Sequence, residues 1–341
     1  MGPQEGGRDD ARLVYHPAGH DTALRAALED LRAGRWMSMR NLLAATGTDW
    51  GLRTARTQVL ATAAARSDIL QVWQAEEPHG ADVLVMQARV AVERVLQAHR
   101  QGRPDAPALA RAARETCLRA GQQLPADPVP WVCRLALAQV DERQLLPEHR
   151  LPAPEQMLPP GPWGLLTEAH QRDPFNREAF HRMLKFWLTR AAGSHGDAID
   201  FVRAAVSWAP AGSALMVLPL YAYVEQYRQQ RDRDQLDPLT RRQWTRDHIA
   251  MDVDRALRSW FDQPSDTART ALDLNHLAHG LWAGGNLADA GRVFDAIGPY
   301  ATTAPWAHVA DDPHAAEQEF SWARSQCRSS GAHPVRGHAP G

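Results

Sequence analysis

The sequence predicts an all-α fold built from pairs of helices, and two observations support this. Apolar residues recur at three- and four-residue spacing in nearly every periodic segment, and no segment alternates apolar and polar residues as a half-buried strand would. Prolines then end several of these segments at a repeated position. The predicted helices, in chain order, are Thr22–Ala33, Met37–Ala45, Leu52–Ala65, Ile69–Glu76, Ala81–His99, Ala108–Gln122, Pro130–Val140, Pro162–Gln171, Arg177–Arg190, Asp197–Trp208, Ala214–Gln230, Leu239–Trp260, Thr267–Ala283, Leu287–Ile297 and His314–Gln326.

Four of these helices share one spacing: a residue, a second one four positions later, a third seven positions later and a proline twelve positions later. Residues four and seven apart lie on one helix face, the small residue lets a neighbouring helix approach, and the proline ends the helix. The next helix often carries a large residue six positions after the proline, as at Trp131, Phe180 and Met216. The four sets are Ala113, Cys117, Ala120, Pro125; Ala198, Val202, Ala205, Pro210; Pro162, Leu166, Ala169, Pro174; and the weaker Arg66, Leu70, Trp73, Pro78.

The best single copy of this unit runs from Ala271 to about Ala304, with Gly285 in the turn between its two helices. The unit resembles the tetratricopeptide repeat (TPR), a helix–turn–helix of about 34 residues. The resemblance covers roughly Thr22 to Ala304 but is degenerate, because the prolines are spaced by 47, 49 and 36 residues (Pro78, Pro125, Pro174 and Pro210). The excess lies in loops at 101–107, 140–161 and 231–238, and long loops cost little free energy. The chain also looks like uncharacterised TPR-like proteins of actinobacteria, which implies no activity.

The resemblance implies a right-handed superhelix of antiparallel helix pairs, a degenerate TPR-like α-solenoid. We expect a disordered leader at 1–20, the helical-repeat domain at 21–304, a capping helix at 305–326 and a disordered tail at 327–341, because the two ends lack helical periodicity. Trp163 and Trp306, each beside prolines, leave two alternatives open: a binding anchor, or a loop side chain fixed to the core.

Composition excludes several functions. The 38 basic and 40 acidic residues give a net charge of −2, so we expect no nucleic-acid partner. No apolar run is long enough for a membrane span, and we expect no membrane partner. Three cysteines without a Cys-x-x-Cys pair suit a reducing cytoplasm. The motifs of nucleophilic hydrolases, P-loop proteins and dinucleotide-binding proteins are missing, so the sequence leans away from an enzyme without deciding the question.

The resemblance also implies which side chains face the concave groove, since in TPR-like superhelices fixed positions of each repeat's first helix do so. The predicted groove is polar and mixed in sign, and it contains Lys185, the only lysine of the chain. We assign these binding residues to the groove: Arg89, Glu178, His181, Lys185, Tyr221, Glu225, Asn275, His279 and Trp282.

A metal site could use some of the same residues. Glu178 and His181 form a Glu-x-x-His pair on one helix face, the spacing found in di-iron bundles, and His276 and His279 form a second pair. A di-iron bundle needs two Glu-x-x-His motifs, and the sequence has one. We therefore assign neither a metal nor a cofactor.

Two functions stay open. The first is a scaffold that binds a protein or an extended peptide in the concave groove. The second is a metal- or small-molecule-binding protein, or an enzyme, that uses a polar pocket near Glu178, His181, Lys185, Tyr221 and Glu225, with His279 beside them. The sequence does not specify the partner, the oligomeric state or the role of the proline-rich insertion at 140–161.

Overall fold

A computed structural model describes residues 13–78, 80–190, 194–233, 242–264, 269–310 and 312–331, and in these ranges the chain is all helical, with no strand. The prediction of an all-α fold is confirmed for this part. Its α-helices are α1 (Thr22–Arg32), α2 (Met37–Thr46), α3 (Trp50–Ala64), α4 (Ile69–Glu76), α5 (Ala81–Arg100), α6 (Ala106–Gln123), α7 (Val129–Leu137), α8 (Trp163–Arg172), α9 (Arg177–Leu188), α10 (Ser194–Trp208), α11 (Leu218–Asp232), α12 (Asp247–Ala256), α13 (Ala271–Ala283), α14 (Leu287–Ile297), α15 (Trp306–Val309) and α16 (Ala316–Gly331).

Two long predicted helices are interrupted. The segment predicted as Ala214–Gln230 opens with a 3-10 turn at Ala214–Val217 before α11. Pro219 stands in the first turn of α11, where its missing N–H is not needed. The segment predicted as Leu239–Trp260 is a 3-10 turn at Gln243–Thr245, then α12, then a π-helical turn at Leu257–Phe261. Residues 234–241, which include part of the predicted loop at 231–238, lie outside the described ranges.

Three of the helices that carry the candidate site, α3, α9 and α13, begin at side-chain caps. Asp49 accepts a hydrogen bond from the N–H of Leu52 at 3.1 Å and so starts α3. Asn176 caps α9 through the N–H of Ala179 at 2.9 Å, and Thr270 caps α13 in the same way at 3.1 Å. Such caps satisfy N–H groups that have no partner within the helix, and they fix where each helix begins.

The core is a series of clusters along the chain, each built by neighbouring helices. Helix α5 contributes Val83, Met86 and Val90 to one cluster and its opposite face, through Val85 and Val92, to the next. Helix α7 likewise contributes to two successive clusters. A helix that is apolar on two faces lies between layers. The core is therefore divided among successive layers of helices along the chain.

The N-terminal segment 13–20 is ordered, and this corrects the prediction of a disordered leader through residue 20. The backbone N–H of Val14 donates to the carbonyl of Pro299 at 2.8 Å, and Ala18 is buried. Farther along, Arg25 donates to the hydroxyl of Tyr300 at 2.5 Å. Bonds to a distant part of the chain hold this segment in place. Helical periodicity does not reveal such bonds, so the sequence pattern did not predict the order. The helical array thus closes on itself, while residues 1–12 lie outside the described ranges.

The proline-rich insertion is also ordered and covers the middle of the array. Leu151 and Gly161 exchange two backbone hydrogen bonds of 2.9 Å each, which form an isolated antiparallel bridge. Gly161 lies against the ring of Trp187, where a Cβ atom would come within 2.8 Å. The adjacent Trp163 is buried, and its ring lies 6.1 Å from that of Trp187. Of the two alternatives for Trp163, the structure shows the core position.

Trp306 is fully buried in the last cluster, so it too is a core residue. The C-terminal helix α16 runs to Gly331 and buries Cys327, which extends five residues into the segment predicted as a disordered tail. The sequence pattern underestimates the length of this helix because its last turns are polar. Residues 332–341 lie outside the described ranges. Among the helices described here, none combines the length and the apolar character that crossing a bilayer requires.

Candidate functional site

A polar site lies where α3, α9, α11 and α13 face one another across the array. On α3, Thr54 accepts a hydrogen bond from the side chain of Asn176, which precedes α9, at 3.2 Å. These two residues are 122 positions apart in sequence. Helices that are far apart in sequence therefore lie side by side here, and polar side chains fill much of the space between them.

The first element of the site is a buried ion pair between α5 and α9. Arg89 donates to both carboxylate oxygens of Glu178, at 2.7 and 2.5 Å, and both side chains are buried. Arg182 donates to the same carboxylate at 3.0 Å. Burial alone would raise the pKa of Glu178, but the charges of the two arginines outweigh it and lower that pKa. Glu178 is therefore an anion with two guanidinium partners.

The second element is a network between α9, α11 and α13. Arg177 donates to both carboxylate oxygens of Asp273 at 2.6 Å each, and the Tyr221 hydroxyl donates to Asp273 at 2.6 Å. Burial would raise the pKa of Asp273, but Arg177 and these hydrogen bonds lower it to about 2. The pKa of Tyr221 is raised, first by burial and then by the neighbouring Asp273 charge. Asp273 is thus ionised and Tyr221 is a neutral donor at pH 7.

Two histidines flank Tyr221. His181 meets its ring edge-on with centroids 4.4 Å apart, and His276 stacks on it at 3.6 Å. Burial, followed by the charge of Arg177, lowers the pKa of His181 well below its ordinary value. Burial also lowers the pKa of His276 to about 3. Both rings are neutral at pH 7, and Nε2 of His181 is buried without a hydrogen-bond partner.

Two cavities adjoin these networks. One of about 270 Å³, here called the axial cavity, is lined by His181, Lys185, Tyr221, Glu225 and His276 among others. The other, of about 530 Å³, lies at the N-terminal ends of α3, α9 and α13. Both are lined by Gln58, Arg177 and Glu178, so this layer of side chains lies between them.

Positive charge is in excess around the axial cavity. Glu178 has two guanidinium partners, and Glu225 has both Arg228, at 2.5 Å, and Lys185, at 3.7 Å. Burial would raise the pKa of Glu225, but Arg228 and Lys185 lower it to about 2. The side chain of Lys185 is half exposed, and its Nζ lies 3.7 Å from Glu225, beyond hydrogen-bond distance, so its ammonium can engage another anion.

The structure brings five of the nine predicted groove residues together: Glu178, His181, Lys185, Tyr221 and Glu225 all line the axial cavity. The other four do not line it. Arg89 is buried behind Glu178 as its ion-pair partner. Asn275 is fully buried and joins α13 to the chain segment around residue 300. His279 and Trp282 lie at a different cavity.

The proposed metal ligands are separated as well. The Glu178 carboxylate is occupied by Arg89 and Arg182, while His276 and His279 lie at different cavities. Within the described ranges, no three His, Cys, Asp or Glu side chains are grouped closely enough to hold a metal ion.

Sequence reasoning missed Arg177 and Asp273, which form the strongest network of the site. Arg177 opens α9 and Asp273 lies in the first turn of α13, one residue outside the positions that the TPR resemblance assigns to the groove. A sequence signal for them does exist. Arg177 precedes His181 by four positions, and Asp273 precedes His276 by three, so in each helix the charged residue of the first turn shares a face with a histidine.

Compared with protein-family models, curated proteins and solved structures, the chain has no significant match in any of the three. The similarity to TPR proteins therefore remains a prediction, and function has to be inferred from the site alone.

Proposed function

We propose that this protein binds a small anionic molecule, carrying a carboxylate or a phosphate group, in the axial cavity of a TPR-like superhelix. The observation that carries the proposal is that two donors line the same cavity: Lys185, half exposed and 3.7 Å from Glu225, and His181, whose buried Nε2 has no hydrogen-bond partner. The burial of α5 and α7 between successive clusters supports the superhelix. The three free thiols support a cytoplasmic location.

The chemistry of the cavity favours an anion over a cation. Glu178 and Glu225 are each neutralised by two cationic groups, so neither carboxylate attracts a further cation. A carboxylate or phosphate oxygen can accept from the Lys185 ammonium, and the neutral His181 supplies one ring N–H as a second donor. At about 270 Å³ the cavity is close to the lower end of small-ligand pockets, about 300 Å³. A compact ligand therefore fits better than an extended peptide.

Isothermal titration calorimetry with inorganic phosphate and with succinate at low ionic strength tests this proposal. We expect at least one of them to bind, and Lys185→Met to weaken its binding by roughly ten- to a hundredfold, because one charge-assisted hydrogen bond is lost. His181→Phe keeps the ring against Tyr221 but removes the nitrogen, and it should weaken binding to a smaller degree.

Arg258→Met is the matched control, because Arg258 is a largely exposed cation paired with Asp254 on the neighbouring turn. It should bind the anions like the unaltered protein. The proposal is wrong if neither anion binds at millimolar concentration, or if Lys185→Met and Arg258→Met bind equally well.

A protein partner is the second candidate function, as the TPR resemblance implies. Lys185 and Thr189 are exposed at the C-terminal end of α9, which would let an acidic peptide place a carboxylate at the mouth of the axial cavity. Affinity capture with the full chain and with Lys185→Met as bait separates the two candidates. A partner that is recovered by the first and lost with the second supports peptide binding.

A further inference from the structure

The walls of the axial cavity combine hydrogen-bond donors with aliphatic side chains. The aliphatic residues come from α9, α11, α13 and the segment before α15: Leu184, Leu188, Val224, Leu272 and Ala304. Side chains of this kind form no hydrogen bonds with a ligand, and they gain free energy when they cover hydrocarbon instead of water. The cavity therefore suits a ligand that carries hydrocarbon as well as a charge.

The donors and the aliphatic side chains lie close together along α9. Four residues of one face of this helix line the cavity at three- and four-residue spacing: His181, Leu184, Lys185 and Leu188. One helical turn rises about 5.4 Å, so a leucine lies within roughly one turn of each donor. An anionic group held by Lys185 therefore brings a chain of a few carbon atoms against a leucine.

The free positive charge in this cavity matches a single anionic group. Arg177 and Arg182 also line the cavity, but both guanidinium groups already bond to carboxylates of the chain. Lys185 lies beyond hydrogen-bond distance from Glu225, which keeps its bonds to Arg228 if Lys185 turns to a ligand. Of the lysines and arginines that line the described cavity, Lys185 is thus the one left to bind an anion.

A carboxylate suits the available donors better than a phosphate. The Lys185 ammonium and the ring of His181, which is neutral at pH 7, provide donors for the two oxygens of one carboxylate. A phosphate group has three acceptor oxygens and close to two negative charges, so one ammonium compensates it less well. A second carboxylate on the ligand would likewise lack a cation.

The volume of the cavity limits the length of the hydrocarbon chain. A water molecule takes up about 30 Å³ of the liquid, so about 270 Å³ holds roughly nine groups of that size. Hexanoate, with about eight non-hydrogen atoms, fits this volume, whereas decanoate, with about twelve, exceeds it.

We infer that the anion bound in the axial cavity is a short-chain aliphatic monocarboxylate of roughly four to six carbon atoms in all. This ligand class rests on the anion binding proposed for the cavity and narrows it from carboxylates and phosphates in general. The carboxylate accepts from Lys185 and His181, and the hydrocarbon chain lies against the aliphatic walls, Leu272 among them.

Isothermal titration calorimetry with acetate, butanoate, hexanoate and decanoate, below the concentration at which decanoate forms micelles, tests the inference. We expect the affinity to rise by roughly two- to fourfold for each CH₂ group added between acetate and hexanoate, because each one leaves water on binding. Decanoate should bind no more tightly than hexanoate, because its chain is longer than the cavity can hold.

Two variants separate the carboxylate contact from the hydrocarbon contact. Lys185→Met should weaken acetate and hexanoate by a similar factor, whereas Leu272→Asn should weaken hexanoate more than acetate. Leu272 is only partly buried, so its replacement does not empty the core. Leu109→Asn is the matched control, since this leucine is also partly buried near the start of a helix, α6, and does not line the axial cavity. Circular dichroism verifies that each variant is folded, and the chain-length series on the unaltered protein needs no variant.

The outcomes distinguish this ligand class from anion binding itself. If no anion binds at millimolar concentration, the proposed function fails and the ligand class fails with it. If phosphate or succinate binds but the affinity does not rise from acetate to hexanoate, the anion site stands and the aliphatic ligand is wrong. An affinity that still rises to decanoate, or equal weakening of hexanoate by Leu272→Asn and Leu109→Asn, indicates nonspecific association and also overturns the inference.

Discussion

Removing Arg89 should expose the energetic role of the buried ion pair with Glu178. In Arg89→Met the Glu178 carboxylate keeps Arg182 but loses its bidentate partner, while remaining buried. Breaking a buried pair on one side costs about 3–5 kcal/mol. For 341 residues the entropy of unfolding is about 0.7 kcal/mol/K, so we expect the melting temperature to fall by about 4–7 °C.

A double-mutant cycle separates the ion pair from simple loss of packing. Glu178→Leu alone leaves the Arg89 guanidinium buried with weaker bonds of 3.2 Å to Thr57 and Thr54, and it should also be destabilising. The double variant Arg89→Met/Glu178→Leu replaces both charges by apolar groups and should lose much less than the two single effects added together. Urea unfolding of the four proteins at pH 7 gives the coupling free energy.

The pH dependence supplies a second readout. In the unaltered protein the pKa of Glu178 is lowered, so the stability that the pair contributes is present above the unfolded pKa and is lost as pH falls through the folded one. In Arg89→Met burial should raise that pKa instead, so the deficit should shrink between pH 7 and pH 5. Additive single effects, together with a deficit that does not change with pH, would refute the reasoning. Arg258→Met should show no measurable change.

Three further predictions concern other parts of the chain. Asp273→Asn should cost about 2 kcal/mol at pH 7 in urea unfolding, because the folded pKa is about 2 against an unfolded 3.8. Most of this difference should be lost as the pH falls from about 4 to about 2 and the rest below pH 2, and a difference that keeps its pH 7 size down to pH 2 would contradict the assignment. Gly161→Ala should lower the free energy of unfolding by about 1–3 kcal/mol, as judged by thermal unfolding, because its Cβ would lie 2.8 Å from Trp187. The control is Gly51→Ala on α3, whose Cβ would meet no atom within 4 Å, and it should be neutral or stabilising. Burial raises the pKa of Cys327 to about 11, so its thiol should react with a disulfide reagent at pH 8 far more slowly in the folded protein than in urea, and equal rates would show that α16 does not bury this thiol against the last core cluster.

Periodicity predicted the helices well because helix formation depends on residues three and four apart. Predicted and observed ends agree for Ile69–Glu76 and Leu287–Ile297. The division of the segment 239–260 was missed, because a π-helical turn keeps the apolar pattern while it changes the backbone bonding. The ordered segment 13–20 was missed because its partners lie near the other end of the chain: Val14 bonds to Pro299, and the ring of His20 lies against that of Tyr300.

The candidate site was predictable only as a helix face. Repeat positions place Glu178, His181 and Lys185 on the inner side of α9, and all three line the axial cavity. Residue spacing does not reveal which distant helices pack together. It therefore could not show that Arg89, 89 positions from Glu178, forms an ion pair with the Glu178 carboxylate. The same limit applies to Arg177 and Asp273, which are 96 positions apart.

The contact between the N-terminal segment and residues 299–300 has a consequence for how the protein unfolds. In an open array of repeats each unit touches only its neighbours, so the terminal units fray first and unfolding can spread inward from either end. Here the bond from Val14 to Pro299 and the bond from Arg25 to Tyr300 give the first helix a partner near the end of the array. The first helix therefore cannot peel away without breaking its contacts with Pro299 and Tyr300, so we expect its unfolding to be coupled to that of this later part of the chain.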